Sequence, residues 1–211
     1  MLKIISLILI AVVSFLFYVR LFEKRTIFYP SKKIEVTPKD TGLEYDDIFF
    51  KAQDGIELNG WFIPAKNPYA TVLYCHGNAG NISHRIEMAY MFNQKSLNFF
   101  IFDYRGFGKS LGNPDEKGTY LDAQAAYNYL IKTKQIPPQR IVIYGKSLGG
   151  VIAIDLATKL NAGALVSESS FISTEALAKD VYPFLPLWLF VSQRYDAYAK
   201  IDKVNHPQPE R

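Results

Sequence analysis

The sequence is short of the residues that build staples and metal sites. Its 211 residues hold a single cysteine, Cys75, which excludes an internal disulfide framework. Cys75 closes an apolar run, so a buried and unreactive thiol is expected. The three histidines are His76, His84 and His206, and none stands in a Cys/His/Asp/Glu cluster with metal spacing. Neither a metal nor an organic cofactor is therefore expected. Repeats and low-complexity tracts are absent as well. With 49% hydrophobic and 21% charged residues, the chain reads as one folded domain with a sizeable core. A surplus of one charge is missing from most of it. Lys3, Arg20, Lys24, Arg25, Lys32 and Lys33 against Glu23 give residues 1–33 a net +5; the total is +4, so the other 178 residues sum to −1. The basic character belongs to one flank, and no nucleic-acid partner is expected.

What the flank surrounds is a long apolar run. Residues 4–19 are interrupted only by Ser6 and Ser14, and Leu21 and Phe22 extend the run if Arg20 snorkels. A spanning helix needs about 20 residues, with a lower limit near 17. No small-x-small cleavage site follows the run, which favours an uncleaved single-pass anchor over a signal peptide. Five basic residues follow it and one precedes it, so the bulk of the chain is expected in the cytoplasm. The organisation expected is an anchor at 1–22, a juxtamembrane linker at 23–44 and a domain from 45 to 211.

The domain alternates strand and helix signals. Residues 48–52 and 56–63 flank Asp54-Gly55, a hairpin signature. Short apolar strands are predicted at 71–75, 98–103, 141–144 and 162–166. Ile82, Ile86, Ala89 and Tyr90 recur at helical spacing, as do Ala123, Ala126, Tyr127 and Leu130 in a helix ended by Pro137-Pro138. This pattern predicts an α/β fold with a mostly parallel sheet covered by helices on both faces. Residues 181–190 are aromatic, apolar and broken by Pro183 and Pro186. Two readings stay open for them: a hydrophobic hairpin against the core, or part of a cap segment (172–198) offering an acyl-binding surface.

The strand at 141–144 runs into Gly145-Lys146-Ser147-Leu148-Gly149 and then a helix. A serine between two glycines at a strand-to-helix turn is the geometry of an activated nucleophile, with the Leu148 N–H available to an oxyanion. Gly145-Lys146-Ser147 also resembles the end of a phosphate-binding loop. That loop needs a glycine where this chain has Arg140, and the reading fails.

Two further motifs accompany this one, His76-Gly77-Asn78-Ala79-Gly80 and Asp103-Tyr104-Arg105-Gly106-Phe107-Gly108. Together with the apolar N-terminus they resemble the α/β-hydrolase family, in particular its membrane-anchored ABHD-type branch related to serine aminopeptidase-like hydrolases. The resemblance runs from about residue 25 to 205. It implies Ser147 as nucleophile and the N–H groups of Asn78 and Leu148 as the oxyanion hole, with His76, Gly77, Gly145 and Gly149 in support. The other reading of Asn78 is a loop cap. The Asp103 motif is a packing turn on this resemblance and carries no chemistry. The reaction implied is acyl transfer from an ester, thioester or amide to water, so the partner is a small-molecule or acylated substrate. The family also needs an acid after its seventh strand and a histidine after its eighth. Here residues 205–211 fall where the seventh strand would begin. The expectation is a truncated or frame-shifted chain, impaired in turnover, with a sheet edge that a partner could complete. His206 lies at the wrong end of the sheet to serve as base, His76 belongs to the oxyanion turn, and His84 is expected on an exposed helix face. Glu168, at the end of a strand, is a candidate acid or simply a loop-anchoring carboxylate. The alternative function is a non-catalytic, membrane-anchored binding module on the same scaffold.

Overall fold

The computed structural model describes residues 2–204. Its first element is helix α1 (Leu2–Ile27), a stretch without glycine or proline whose last turn carries Lys24 and Arg25 against the negative end of the helix dipole. Its most apolar 18-residue window has a mean hydropathy of 2.5, and none of that window is buried. The helix is long and apolar enough to cross a membrane. It does not stop at residue 22. Residues 23–27, assigned to a linker from the sequence, are its last turn, and only at strand β1 (Tyr29–Pro30) does a proline end it.

The Asp54-Gly55 signature makes its hairpin. Gly55 sits at φ 85°, and the Ala52 N–H donates to the Ile56 carbonyl at 2.9 Å. This joins β2 (Asp46–Lys51) to β3 (Glu57–Ile63), with Lys51 opposite Glu57. Strand β4 (Ala70–Cys75) follows, then the two-residue β5 (Ala79–Gly80), which pairs in parallel with β1. A 3-10 turn, Ile82–Arg85, opens helix α2 (Ile86–Gln94). Next come β6 (Leu97–Phe102), α3 (Glu116–Lys132), β7 (Ile141–Lys146), α4 (Leu148–Ala157) and β8 (Ala164–Glu168). The sheet order is β2-β3-β6-β4-β7-β8, antiparallel through β3–β6 and parallel from β6 to β8. The strands predicted at 98–103 and 162–166 are shifted by one and two residues at their starts, within the reach of apolar runs that carry no sharp boundary signal.

Alternation along the strands loads both faces. Leu73, Phe100, Phe102 and Ile143 pack with Ala126, Leu130 and Ile152 of α3 and α4, while Val72, Tyr74, Phe99 and Ile101 pack with Ala89 and Phe92 of α2. Beyond β8 lie α5 (Thr174–Val181), a 3-10 turn Pro186–Phe190, and α6 (Tyr198–Ile201).

One ion cluster ties the hairpin to the helical layer. Buried Arg105 bridges Asp122 at 2.8 Å and Asp54 at 2.7 Å, and its own N–H donates to Asp122. Burial pushes the Asp122 carboxyl up to about 6, against the pull of Arg105. Forming such a pair gains little net free energy, but removing one partner strands the other. Asp122→Asn should therefore destabilise the chain by about 3–5 kcal/mol. Urea unfolding with an unchanged m-value measures this, and a loss under about 1 kcal/mol would show the cluster to be dispensable.

Candidate active site

The turn between β7 and α4 is built on backbone contact. A Cβ on Gly145 would lie 2.1 Å from the Gly149 carbonyl oxygen, and one on Gly149 would lie 1.9 Å from that of Cys75. Only glycine fits at either position. Between them Ser147 is held at φ 55°, ψ −119°, a region that side-chain-bearing residues rarely occupy. Its N–H donates to the Glu168 carbonyl at 2.9 Å, so β8 holds the strained turn in place. Among the described residues no hydrogen bond is made by the Ser147 hydroxyl. Leu148 is the first residue of α4, where an N–H has no acceptor inside the helix.

The second predicted loop arrives beside the serine. The position of a Cβ on Gly77 would be 3.8 Å from the Ser147 Cβ. The Asn78 side chain donates to the Ile27 carbonyl at 2.8 Å, and its own carbonyl accepts from the Tyr29 N–H at 2.9 Å. Asn78 thus caps the end of α1 with its side chain and carbonyl, while its N–H stays free of both contacts. Asn78, Ser147 and Leu148 line one cavity of about 290 Å³.

The other candidates are elsewhere. His76 is fully buried, with Nδ1 2.7 Å from the Gly77 carbonyl, Nε2 3.6 Å from Asp103, and its ring against Tyr104 and Phe107. Asp103 accepts from the Ile82 N–H at 3.0 Å and does packing work. His84 is exposed, as expected, on the 3-10 turn that opens α2, where its Nδ1 accepts from the Asn81 N–H at 3.0 Å. Glu168 turns its carboxylate to Lys146 (2.7 Å) and to the Tyr144 hydroxyl, and both hold its pKa below the usual carboxylate range. It does not line the cavity. His206 lies outside the described residues. Burial pushes the Cys75 thiol up to about 12, which removes it as a nucleophile.

Of the rest of the cavity, the wall from residues 171–191 overlaps the segment with a cap reading, and the wall from α1 was not legible as part of a site. Val19, Phe22, Glu23, Thr26 and Ile27 of α1 form one wall, and residues 171–191, including Thr174, Leu177 and Phe190, form the opposite one. Glu23 is buried and accepts from the Ser192 and Gln193 N–H groups at 2.6 and 2.8 Å and from the Ser192 hydroxyl. It is the one acidic residue in a basic flank, and that was the available signal.

The sequence and the fold have known counterparts. The family described as "Serine aminopeptidase, S33" matches residues 66–206. The chain belongs to this family of α/β-hydrolases. It is 34% identical over 187 residues to an uncharacterised protein of Mycobacterium tuberculosis, covering 88% of this chain and 66% of that protein. It is 38% identical over 177 residues to the α/β-hydrolase domain-containing protein WAV2 of Arabidopsis thaliana, covering 78% and 56%. An esterase of Pyrococcus furiosus superposes with a TM-score of 0.67 at 26% identity, covering 86% of this chain and 74% of the esterase. The chain thus spans two thirds or less of these curated relatives.

The strain at residue 147 is measurable. Relieving a left-handed conformation of this kind gains about 1–3 kcal/mol, offset by the extra freedom glycine gives the unfolded chain. Ser147→Gly is expected to raise stability by about 1 kcal/mol. An unchanged or lower urea midpoint would mean that the turn stores no strain.

Proposed function

We propose that this chain is a membrane-anchored serine hydrolase in which Ser147 attacks an acyl carbonyl. The observation that carries the reading is an unpartnered hydroxyl on a strained strand-to-helix turn, facing a largely apolar cavity beside two loop N–H groups. Ser147 Oγ forms a bond to the carbonyl carbon of an ester, thioester or amide. The carbonyl oxygen becomes an oxyanion that accepts from the Asn78 and Leu148 N–H groups. Collapse breaks the bond to the leaving group, which takes up the proton lost from Oγ. Water then repeats the attack on the acyl-serine and releases the acid.

Both proton transfers need a base within about 2.6–3.2 Å of Oγ. Among the described residues the histidines are His76 and His84, and each is held by other partners. Among the described residues the nucleophile and the oxyanion donors are therefore assembled without a general base, and slow turnover is expected of these residues by themselves. On this reading α1 spans the membrane, with the basic flank at residues 20–33 on the cytoplasmic side. Strand β8 is an edge among the described residues, and its unpaired side is where a further strand from a partner would add.

A fluorophosphonate probe tests the chemistry. Labelling of the full chain should be slow, located at Ser147 and lost in Ser147→Ala. Label that survives that substitution refutes the nucleophile, and rapid stoichiometric label at Ser147 refutes the missing base. The anchor has its own test. After a carbonate wash the full chain should remain in the membrane pellet and a chain lacking residues 1–22 should not; retention of both would place membrane attachment elsewhere.

A further inference from the structure

We propose that residues 181–191 are inserted into the bilayer beside α1, so that the Ser147 cavity opens at the boundary between headgroups and acyl chains and takes its acyl group from a resident lipid. The proposal rests on the assignment of Ser147 and of α1 just made, and names the substrate class.

Depth is the first argument. The Phe190 ring meets the Phe15 ring edge-on at 5.8 Å. A span of about 20 residues beginning near Ile4 leaves the hydrocarbon at Phe22–Glu23. Phe15 is seven residues earlier, or about 10 Å deeper at 1.5 Å per residue. Segments that lie in a membrane surface reach about 5–10 Å below it. A residue packed on Phe15 is at that depth.

Polarity agrees. Residues 181–191 contain no charged side chain. Phe184 is 96% exposed and Leu189 61%, with Val181 and Leu185 more than half exposed, and none of the four lines the cavity except Val181. Transferring each such side chain out of water is favourable in proportion to the apolar area removed. Backbone donors, the usual obstacle to burying a loop in lipid, are few. Pro183 and Pro186 have none, and the N–H groups of Leu185 and Leu187 bond to the Tyr182 and Leu185 carbonyls at 3.1 and 2.7 Å.

The two polarity boundaries coincide in space. On α1 the apolar run ends at Phe22 and Glu23 begins the polar side; on the other segment it ends at Val191 and Ser192 begins it. Glu23 joins these two points directly, through the Ser192 and Gln193 N–H groups. Lys24 and Arg25 follow at once, exposed at the level of lipid phosphates. The cavity lies between the paired segments, walled by Val19 and Phe22 on one side and Leu187 and Phe190 on the other. Its volume of about 290 Å³ is at the lower end for ligand pockets and suits an acyl chain. Inside, the buried Thr174 hydroxyl has no partner among the described residues and is available to an ester oxygen.

The two tryptophans supply the test. Trp188 belongs to the proposed insertion, and Trp61 is buried in the sheet core. In vesicles of phosphatidylcholine with brominated acyl chains, the full chain should lose most of its Trp188 emission. Trp188→Phe should abolish the quenching and leave Trp61 emission unchanged. Phe184→Ser/Leu189→Ser should reduce it. Vesicle-bound protein whose emission is untouched by bromine would overturn the insertion. The acyl supply is read separately with a phosphatidylcholine bearing a diazirine at its acyl terminus. Photolysis should mark the buried cavity residues Leu148 and Thr174, in wild type and Ser147→Ala alike. Marks confined to the outer face of α1, at Ile8 and Leu9, would overturn it. Neither readout uses Ser147 chemistry, so a failed nucleophile shows as absent fluorophosphonate label with quenching and cross-links intact.

Discussion

The site depends on one close approach of backbone to backbone. Helix α4 begins so near the end of β4 that residue 149 can carry no Cβ against the Cys75 carbonyl, and residue 145 none against residue 149. That contact leaves the chain a single residue in which to reverse direction, and the residue is Ser147, at φ 55°. The strained conformation costs about 1–3 kcal/mol and persists because its surroundings over-determine it. The Glu168 carbonyl fixes the Ser147 N–H from one side, and the Ser147 carbonyl accepts from Gly150 on the other. The reversal leaves the hydroxyl beyond the sheet's end, beside the start of α4 where N–H groups lack acceptors.

The second dependence is on α1, which forms one wall of the cavity. Asn78 closes its end, β1 pairs with β5 directly after it, and Glu23 takes two backbone N–H groups and a hydroxyl from the facing segment. A carboxylate at the edge of an apolar span is costly unless its lone pairs are filled, and here three donors fill them. The loop at Asn78, the last turn of α1 and the chain at 192–193 are therefore joined by hydrogen bonds. Any tilt of the helix would reach the mouth of the cavity through these bonds.

Much of the sheet was legible in the sequence, because period-2 alternation and the turn residues each have a local cause. Asp54-Gly55 specified its hairpin through one positive φ, and Gly145 and Gly149 marked a backbone contact that no other residue permits. Strand ends were less legible, since the runs at 97–102 and 164–168 have no sharp local boundary. Least legible was the far wall of the cavity. Val19 and Phe22 read as membrane residues, on a helix long and apolar enough to cross one; their second face appears only when residues 171–191 return to meet them. Residues 181–190 had two readings because apolar content states that a segment leaves water and not what it packs on. Arg105 was absorbed into a glycine turn, although a buried guanidinium must find carboxylates, which Asp122 and Asp54 supply from distant parts of the chain.

The energetics of acyl transfer give a reason for a nucleophile to sit at a polarity boundary. Moving an acyl chain from lipid to water costs about 0.8 kcal/mol per CH₂, so a chain of a dozen carbons costs on the order of 10 kcal/mol. A site in bulk water must recover that from binding before any chemistry begins, and binding spent on the ground state does not raise turnover. A cavity whose walls are continuous with the bilayer avoids the step, because the chain exchanges one apolar surface for another. Water and the leaving group must still reach Oγ, and both favour the polar side. The carbonyl of a lipid ester lies between these two phases. On the proposed reading, a serine that shares one cavity with Glu23 and Asn78 would meet that carbonyl where the bilayer already places it.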